Sequence, residues 1–129
     1  MKNTISNIQN LKKKPNPFST ITVYDYPTSL IVNETDIPMV LVGDSASMVI
    51  YGYNNTIPIT MEELMLVTKA VNRGIKKALI VADMPFMSYQ TSTEEAIKNA
   101  GQLIKFGGAD AIKLEGGSEY ADRISKIIE

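Results

Sequence analysis

The stretch ALIVADMP, residues 78–85, decides the fold prediction, because an almost continuous apolar run ends there in an acid. A strand that is apolar on both faces is typical of a parallel sheet covered by helices on both sides. Helix-start patterns flank it, since Thr60–Glu63 and Ser92–Glu95 both have the spacing of a capping box. Gly74 is predicted to end the first of these helices in the left-handed conformation. The region therefore has the order helix, strand, helix.

The same alternation extends over the whole chain and is typical of βα units. We predict strands at 20–24, 38–42, 78–82 and 109–114, each followed by a helix, with a helical segment before the first strand. Four such units are half of a (β/α)₈ barrel, which as a whole takes about 250 residues. The predicted class is therefore α/β, a partial TIM barrel forming one domain over residues 1–129. The chain could be a fragment, half-barrels could pair, or the four strands could form an open sheet.

Composition excludes several kinds of chemistry. The 129 residues include no cysteine and no histidine, which excludes disulfides, thiolate nucleophiles and imidazole bases or ligands. The formal net charge of -1 gives no general attraction to nucleic acid or to anionic lipid. No apolar run is long enough to span a membrane, and the amino terminus lacks the apolar core of a signal peptide. We therefore expect a cytoplasmic protein.

Three acids follow three of the predicted strands, namely Asp44, Asp83 and Glu115. The carboxyl ends of parallel strands meet on one face, so these carboxylates are expected to converge. Their mutual repulsion favours a cation, and an oxygen-only ligand set favours Mg²⁺. Taken singly, each acid could equally be a turn or helix-cap residue, or a solvated loop acid.

Two neighbours of these acids are candidate binding residues. Lys113 points to the same side of its strand as Glu115, so its ammonium could bind a substrate carboxylate beside the metal. The alternative is an ion pair with a neighbouring acid. Ser45 could offer its hydroxyl and amide to an anion, but without an evident base it is a poor nucleophile. The segment Tyr24–Tyr26 is predicted to pack at the barrel mouth and to have no chemical role.

At these residues the sequence resembles the ketopantoate hydroxymethyltransferase family. The resemblance extends from about Phe18 to Gly117 and follows the family's motifs in order. The motifs are Thr22–Pro27, Leu41–Ser45, Ala82–Tyr89 and Asp110–Gly117. Four ordered motifs of this kind are highly specific together.

The resemblance implies a (β/α)₈ barrel assembled into a homodecamer. It also implies that Mg²⁺ orders the α-keto acid 3-methyl-2-oxobutanoate for attack on the one-carbon unit of 5,10-methylenetetrahydrofolate. Asp44 and Asp83 would bind Mg²⁺, with Glu115 a ligand directly or through water. Asp44, Ser45, Asp83 and Lys113 would contact the keto acid, and Lys113 would neutralise its carboxylate.

The sequence departs from the family pattern at three places. Ser47 replaces a usual glycine, Asn54-Asn55 replaces an Asp-Ser pair, and Val67 stands where histidine is frequent. The family's general base is a glutamate from the second half of the barrel, so no catalytic residue is assigned within these 129 residues. The chain is expected to be the amino-terminal half of such an enzyme, with its binding face largely intact.

Two alternatives remain. Lys113 could form a Schiff base with a carbonyl substrate, which would make the protein a metal-independent aldolase. The chain could instead be a non-catalytic half-barrel that acts as an assembly module, because half a barrel exposes unpaired strand edges.

Overall fold

A computed structural model describes residues 1–129, and its centre is a sheet of four parallel strands arranged in chain order. The strands are β1 (Thr20–Thr22), β2 (Met39–Val42), β3 (Leu79–Asp83) and β4 (Ala111–Lys113). The helices are α1 (Ile5–Lys12), α2 (Tyr26–Asn33), α3 (Ala46–Val49), α4 (Met61–Gly74), α5 (Thr93–Gln102) and α6 (Ala121–Ile128). A π-helical turn (Leu103–Gly107) continues α5, and a 3₁₀ turn (Ser118–Tyr120) precedes α6. The predicted α/β class, a partial barrel of four βα units behind an N-terminal helix, is confirmed.

The register of the sheet sets the positions of the strand ends. Val42 lies opposite Ala82, and Asp83 lies opposite Lys113. Three strands are shorter than predicted, most clearly β4, whereas β3 keeps its predicted length and is shifted by one residue. Just after β1, the Val23 amide still donates to the Leu41 carbonyl at 2.9 Å. The carboxyl ends of the last three strands therefore stand side by side on one rim.

The core lies between the sheet and the helices that cover it. Leu64 and Val71 of α4 pack with Val40 and Ile80 of the central strands, and all four side chains are fully buried. Burying a side chain of this size contributes about 2 kcal/mol relative to leaving it exposed. Strands β2 and β3 have neighbours on both edges, and the side of β2 that carries Val40 and Val42 is fully buried, whereas Met39 and Leu41 on its other face are half-buried.

Side-chain caps fix where the helices begin. Thr60 accepts the Glu63 amide at 3.1 Å and the Glu63 carboxylate accepts the Thr60 amide at 2.9 Å, so the first predicted capping box is confirmed. The second is only half formed. Ser92 accepts the amide of Glu95, but the Glu95 carboxylate accepts the hydroxyl of Thr91 instead of reaching back to the Ser92 amide.

The prediction for Gly74 is wrong, and the reason is a close helix contact. Left-handed glycines occur at other positions, among them Gly108, which ends the π-helical turn at φ 80°. Gly74 is the last residue of α4, and a Cβ there would lie 2.0 Å from Ser29 Oγ and 2.8 Å from Ser29 Cβ. The glycine therefore lets α4 approach α2, and Ser29 itself is fully buried.

We expect Gly74→Ala to destabilise the fold by about 3 kcal/mol, because the added methyl group overlaps a fully buried side chain. Urea unfolding measures this loss. Gly101→Ala is the matched control, since a Cβ at Gly101 in α5 would meet nothing within 4 Å and alanine is the better helix former. Equal effects at the two positions would contradict the close-approach explanation.

None of the helices combines the length and apolarity needed to cross a lipid bilayer.

Candidate functional site

The rim formed by the carboxyl ends of β2, β3 and β4 carries all five predicted site residues. We call them the strand-end cluster: Asp44, Ser45, Asp83, Lys113 and Glu115. The Asp44 amide donates to Asp83 Oδ2 at 3.0 Å. Lys113 Nζ donates to Asp83 Oδ1 at 2.7 Å and to Glu115 Oε1 at 2.6 Å. A continuous set of polar contacts thus joins segments that lie up to 71 residues apart in sequence.

Burial within the cluster is graded. The side chain of Asp83 is 5% exposed, that of Lys113 38% and that of Glu115 71%. Each carboxylate oxygen of Asp83 accepts one hydrogen bond, which satisfies the buried charge and still leaves a lone pair on each oxygen. Asp83 is therefore the fixed centre of the cluster, whereas Glu115 lies at its exposed side.

The charges of the cluster shift the pKa values of its members. Burial, and then the neighbouring charge of Asp83, raise the pKa of Asp44, against the opposing influence of Lys113 and of a hydrogen bond from Thr56. A hydrogen bond and charge from Lys113 lower the pKa of Glu115. Burial alone would lower the pKa of Lys113, but its bonds to Asp83 and Glu115 raise it above the ordinary value. Lys113 is therefore a protonated counter-ion, and its charge does not fully compensate Asp44.

The carboxylate oxygens of the strand-end cluster fit a hard cation only in part. No group of three or more acids in the chain is arranged to hold a metal ion, and the ammonium of Lys113 lies between Asp83 and Glu115. Asp44 and Asp83 fit a hard cation better, since both are carboxylates and the negative charge of Asp83 acts on Asp44, where after burial it is the next cause that raises the pKa. The metal assignment of Asp44, Asp83 and Glu115 stays a prediction.

Two residues at the rim were not identified from the sequence. The Tyr24 hydroxyl lies 2.7 Å from Ser45 Oγ, although no role was predicted for Tyr24. Thr56, in the long connection after α3, lies near enough to the Asp44 carboxylate to lower its pKa. Tyr24 follows β1, the neighbour of β2, so the rule that parallel strand ends meet was a signal that could have found it.

The departures from the family pattern are accommodated by local packing. Ser47 is fully buried and its hydroxyl donates to the Asn55 carbonyl at 2.7 Å, which ties the long connection to α3. Asn55 also accepts the amide of Ile57 through its side chain. Val67 is 5% exposed and belongs to the core. None of these residues lies in the strand-end cluster.

Four cavities are present, and none of them is lined by the cluster. The largest, about 560 Å³, lies along the unpaired edge of β4 between α1, α5 and α6 and is mainly lined by isoleucine. The cluster itself is an open, polar rim.

The fold and the cluster define the chain as part of a (β/α)₈-barrel protein whose candidate site lies at the carboxyl ends of its strands. A solved structure of similar fold is that of phosphoenolpyruvate phosphomutase from Streptomyces platensis subsp. rosaceus, with a TM-score of 0.68. The similarity covers 86% of this chain and 37% of that one at 12% identity, so it shows the fold alone.

The model of the family described as ketopantoate hydroxymethyltransferase matches residues 2–129, and the chain belongs to that family. Similar proteins named 3-methyl-2-oxobutanoate hydroxymethyltransferase occur in Clostridium acetobutylicum, 53% identical over 129 residues, and in Clostridioides difficile, 52% identical over 128 residues. The alignments cover 100% and 99% of this chain, and 47% and 46% of those proteins. The chain thus spans about half the length of these curated relatives, and the family predicted from its motifs is confirmed.

Proposed function

We propose that the chain supplies the metal-binding and keto-acid-binding half of a 3-methyl-2-oxobutanoate hydroxymethyltransferase. That enzyme transfers a hydroxymethyl group from 5,10-methylenetetrahydrofolate to 3-methyl-2-oxobutanoate, which gives 2-dehydropantoate. The observation that carries the proposal is the strand-end cluster, in which Asp44, Asp83 and Lys113 converge in a chain of this family.

In this proposal each residue of the cluster has a distinct task. Asp44 and Asp83 hold Mg²⁺, with Glu115 as a ligand directly or through water. The bound ion supplies Lewis-acid polarisation of the keto carbonyl. Lys113 pairs with the keto-acid carboxylate, which replaces one of the two acids that its ammonium contacts in this structure. Ser45 orients the substrate through its hydroxyl, which Tyr24 holds at 2.7 Å.

Proton removal requires a further group. A base must accept the C3 proton of the keto acid, and the carboxylates of the cluster are already engaged as ligands or in ion pairs. The resemblance assigns this base to the second half of the barrel. Substrate binding, and not turnover, is therefore the property that these 129 residues should show.

We expect calorimetry to show that the chain binds 3-methyl-2-oxobutanoate in the presence of Mg²⁺ and loses at least about tenfold in affinity when the metal is chelated. The control ligand is 3-methylbutanoate, which keeps the carboxylate and the branched chain but lacks the keto oxygen. It should show no dependence on the metal. A folded chain without metal-dependent affinity for the keto acid would contradict the proposal.

The Schiff-base alternative is weaker on this geometry. The Lys113 ammonium bonds two carboxylates and its pKa is raised, so the amine is protonated and unreactive near neutral pH. Borohydride trapping of the keto acid on Lys113 in the presence of a chelator would favour the aldolase reading.

One observation favours an assembly role as a second candidate function. The groove along the edge of β4 is lined by apolar side chains from three helices, and the strand's outer backbone groups are unpaired. We propose that the chain forms a homo-oligomer, as the resemblance to a decameric family implies. Light scattering across a concentration series tests this, and a monomer throughout would contradict it.

A further inference from the structure

The hydroxyl of Tyr89 contacts the strand-end cluster at the backbone of Glu115 and not at a charged side chain. Tyr89 lies in the loop between β3 and α5, is 3% exposed, and points its hydroxyl at Glu115 in the loop after β4. The hydroxyl donates to the Glu115 carbonyl at 2.8 Å and accepts the Glu115 amide at 3.2 Å. One hydroxyl therefore satisfies both backbone groups of a single residue, as a paired strand would.

Tyr89 is itself held from two sides. The ring of Tyr120 meets it edge to face, with centroids 5.3 Å apart and planes at 77°. Arg123 donates to the Tyr89 carbonyl at 2.5 Å and to the Gln90 carbonyl at 2.6 Å. Both Tyr120 and Arg123 come from the segment after Glu115, so the tyrosine is braced by the same part of the chain that it fixes.

The Glu115 backbone has the tyrosine hydroxyl as its hydrogen-bond partner in the loop after β3. β4 ends at Lys113, and Glu115 is followed by Gly116 at φ 131° and by Gly117, which leaves the backbone conformationally permissive. The Glu115 side chain has one cluster contact, to Lys113, and is otherwise exposed. Without the tyrosine hydroxyl, the backbone of Glu115 would lose its connection to the loop after β3, and the nearest remaining bond to that loop would be the one from the Met84 amide to the Lys113 carbonyl at 2.9 Å.

We propose that Tyr89 is a positioning residue, whose hydroxyl fixes the backbone of Glu115 and thereby keeps the Lys113–Glu115 pair directed at Asp83. This inference rests on the proposed function, because the pair matters for binding only if the strand-end cluster takes the metal and the keto acid. Tyr89 itself contacts neither the metal nor the keto acid. It acts through the geometry of the loop that follows β4.

The test is Tyr89→Phe, which keeps the ring and its packing but removes the hydroxyl. Hydrogen exchange should show that the Glu115 amide loses protection, because its acceptor is gone. Calorimetry with 3-methyl-2-oxobutanoate and Mg²⁺ should show about fivefold weaker affinity, the loss expected for one uncharged hydrogen bond. Tyr120→Phe is the matched control, since it removes a phenol hydroxyl from the adjacent ring and should leave the Glu115 amide and the affinity unchanged.

A merely structural tyrosine would lower stability and Glu115 protection without changing the affinity for the keto acid. The double variant Tyr89→Phe with Glu115→Gln separates the roles further. If Tyr89 acts through Glu115, the two losses of affinity should be less than additive. Unchanged Glu115 protection, or strictly additive losses, would overturn the inference.

Failure of the inference and failure of the proposed function give different results. If the wild-type chain binds the keto acid with Mg²⁺ and Tyr89→Phe binds it equally well, only the positioning role falls. If the wild-type chain shows no metal-dependent binding, the proposed function falls, and the positioning role falls with it.

Discussion

Asp83→Asn is expected to weaken metal-dependent binding of 3-methyl-2-oxobutanoate by about 100-fold or more, because it removes the buried carboxylate that Asp44 and Lys113 contact. The variant keeps the size and shape of the side chain but removes the charge that would hold the cation. Calorimetry with the keto acid and Mg²⁺ measures the loss.

The same substitution should also reduce stability. Both oxygens of Asp83 accept hydrogen bonds, one from the Asp44 amide and one from Lys113. An asparagine presents an NH₂ group to one of these two donors, so one hydrogen bond is lost and a donor faces a donor. We expect the free energy of unfolding to fall by about 2 kcal/mol, and binding must therefore be measured where the variant is folded.

Asp110→Asn is the matched control for this variant. Asp110 lies at the opposite end of β4, where its carboxylate accepts the Ile80 amide at 2.9 Å and pairs with Lys2 at 2.7 Å. The control should keep its affinity for the keto acid. Its loss of stability comes from the lost charge that pairs with Lys2, because both donors share Oδ2 and an asparagine oxygen can still accept them. Equal losses of affinity in both variants would show that binding follows general stability and not the charge of Asp83.

Sequence reasoning succeeds here where the deciding interactions are local or periodic. The apolar run of residues 78–82 predicts β3 because a central parallel strand needs apolar residues on both faces. The Thr60 capping box predicts the start of α4 because its contacts span only three residues. The convergence of Asp44 and Asp83 follows from the direction of parallel strands, which needs no knowledge of the loops.

The failures concern contacts whose partners are distant in sequence and not repeated in it. Gly74 faces Ser29 across a helix crossing, and no local pattern distinguishes this from a left-handed helix stop. The hydrogen bonds between the Tyr89 hydroxyl and the Glu115 backbone depend on how the loops after β3 and β4 fold over the rim. The pattern could place Lys113 on the same side of β4 as Glu115 but could not show that its ammonium lies between two acids. The metal assignment of Asp44, Asp83 and Glu115 itself stays a prediction.

The second large effect is expected for Lys113→Met, which removes the ammonium between Asp83 and Glu115. The keto acid should lose about 100-fold in affinity, because its carboxylate loses a charged partner at a partly buried site. Mg²⁺ alone should bind more tightly than in the wild type, because the competing cation between Asp83 and Glu115 is gone. Calorimetric titrations with Mg²⁺ and with the keto acid at saturating Mg²⁺ separate the two effects.

Lys113→Met should lower the free energy of unfolding in metal-free buffer, and added Mg²⁺ should restore part of the loss. Without Lys113 the buried carboxylate of Asp83 has no counter-ion, and we expect a loss of about 2 kcal/mol in metal-free buffer, reduced from a fully buried pair because Lys113 is partly exposed. Added Mg²⁺ should restore more stability to this variant than to the wild type, because at a given concentration a ligand that binds the folded state more tightly stabilises it more.

Lys126→Met is the matched control for Lys113→Met, since Lys126 forms an exposed ion pair with Glu129 that contributes about 1 kcal/mol or less. It should change neither titration. If Lys113→Met bound Mg²⁺ more weakly than the wild type, the ammonium would be supporting the metal site and not competing with the metal. Asp83 and Glu115 would then hold the Lys113 side chain in position. The cation would have to be bound by Asp44 together with ligands outside the cluster.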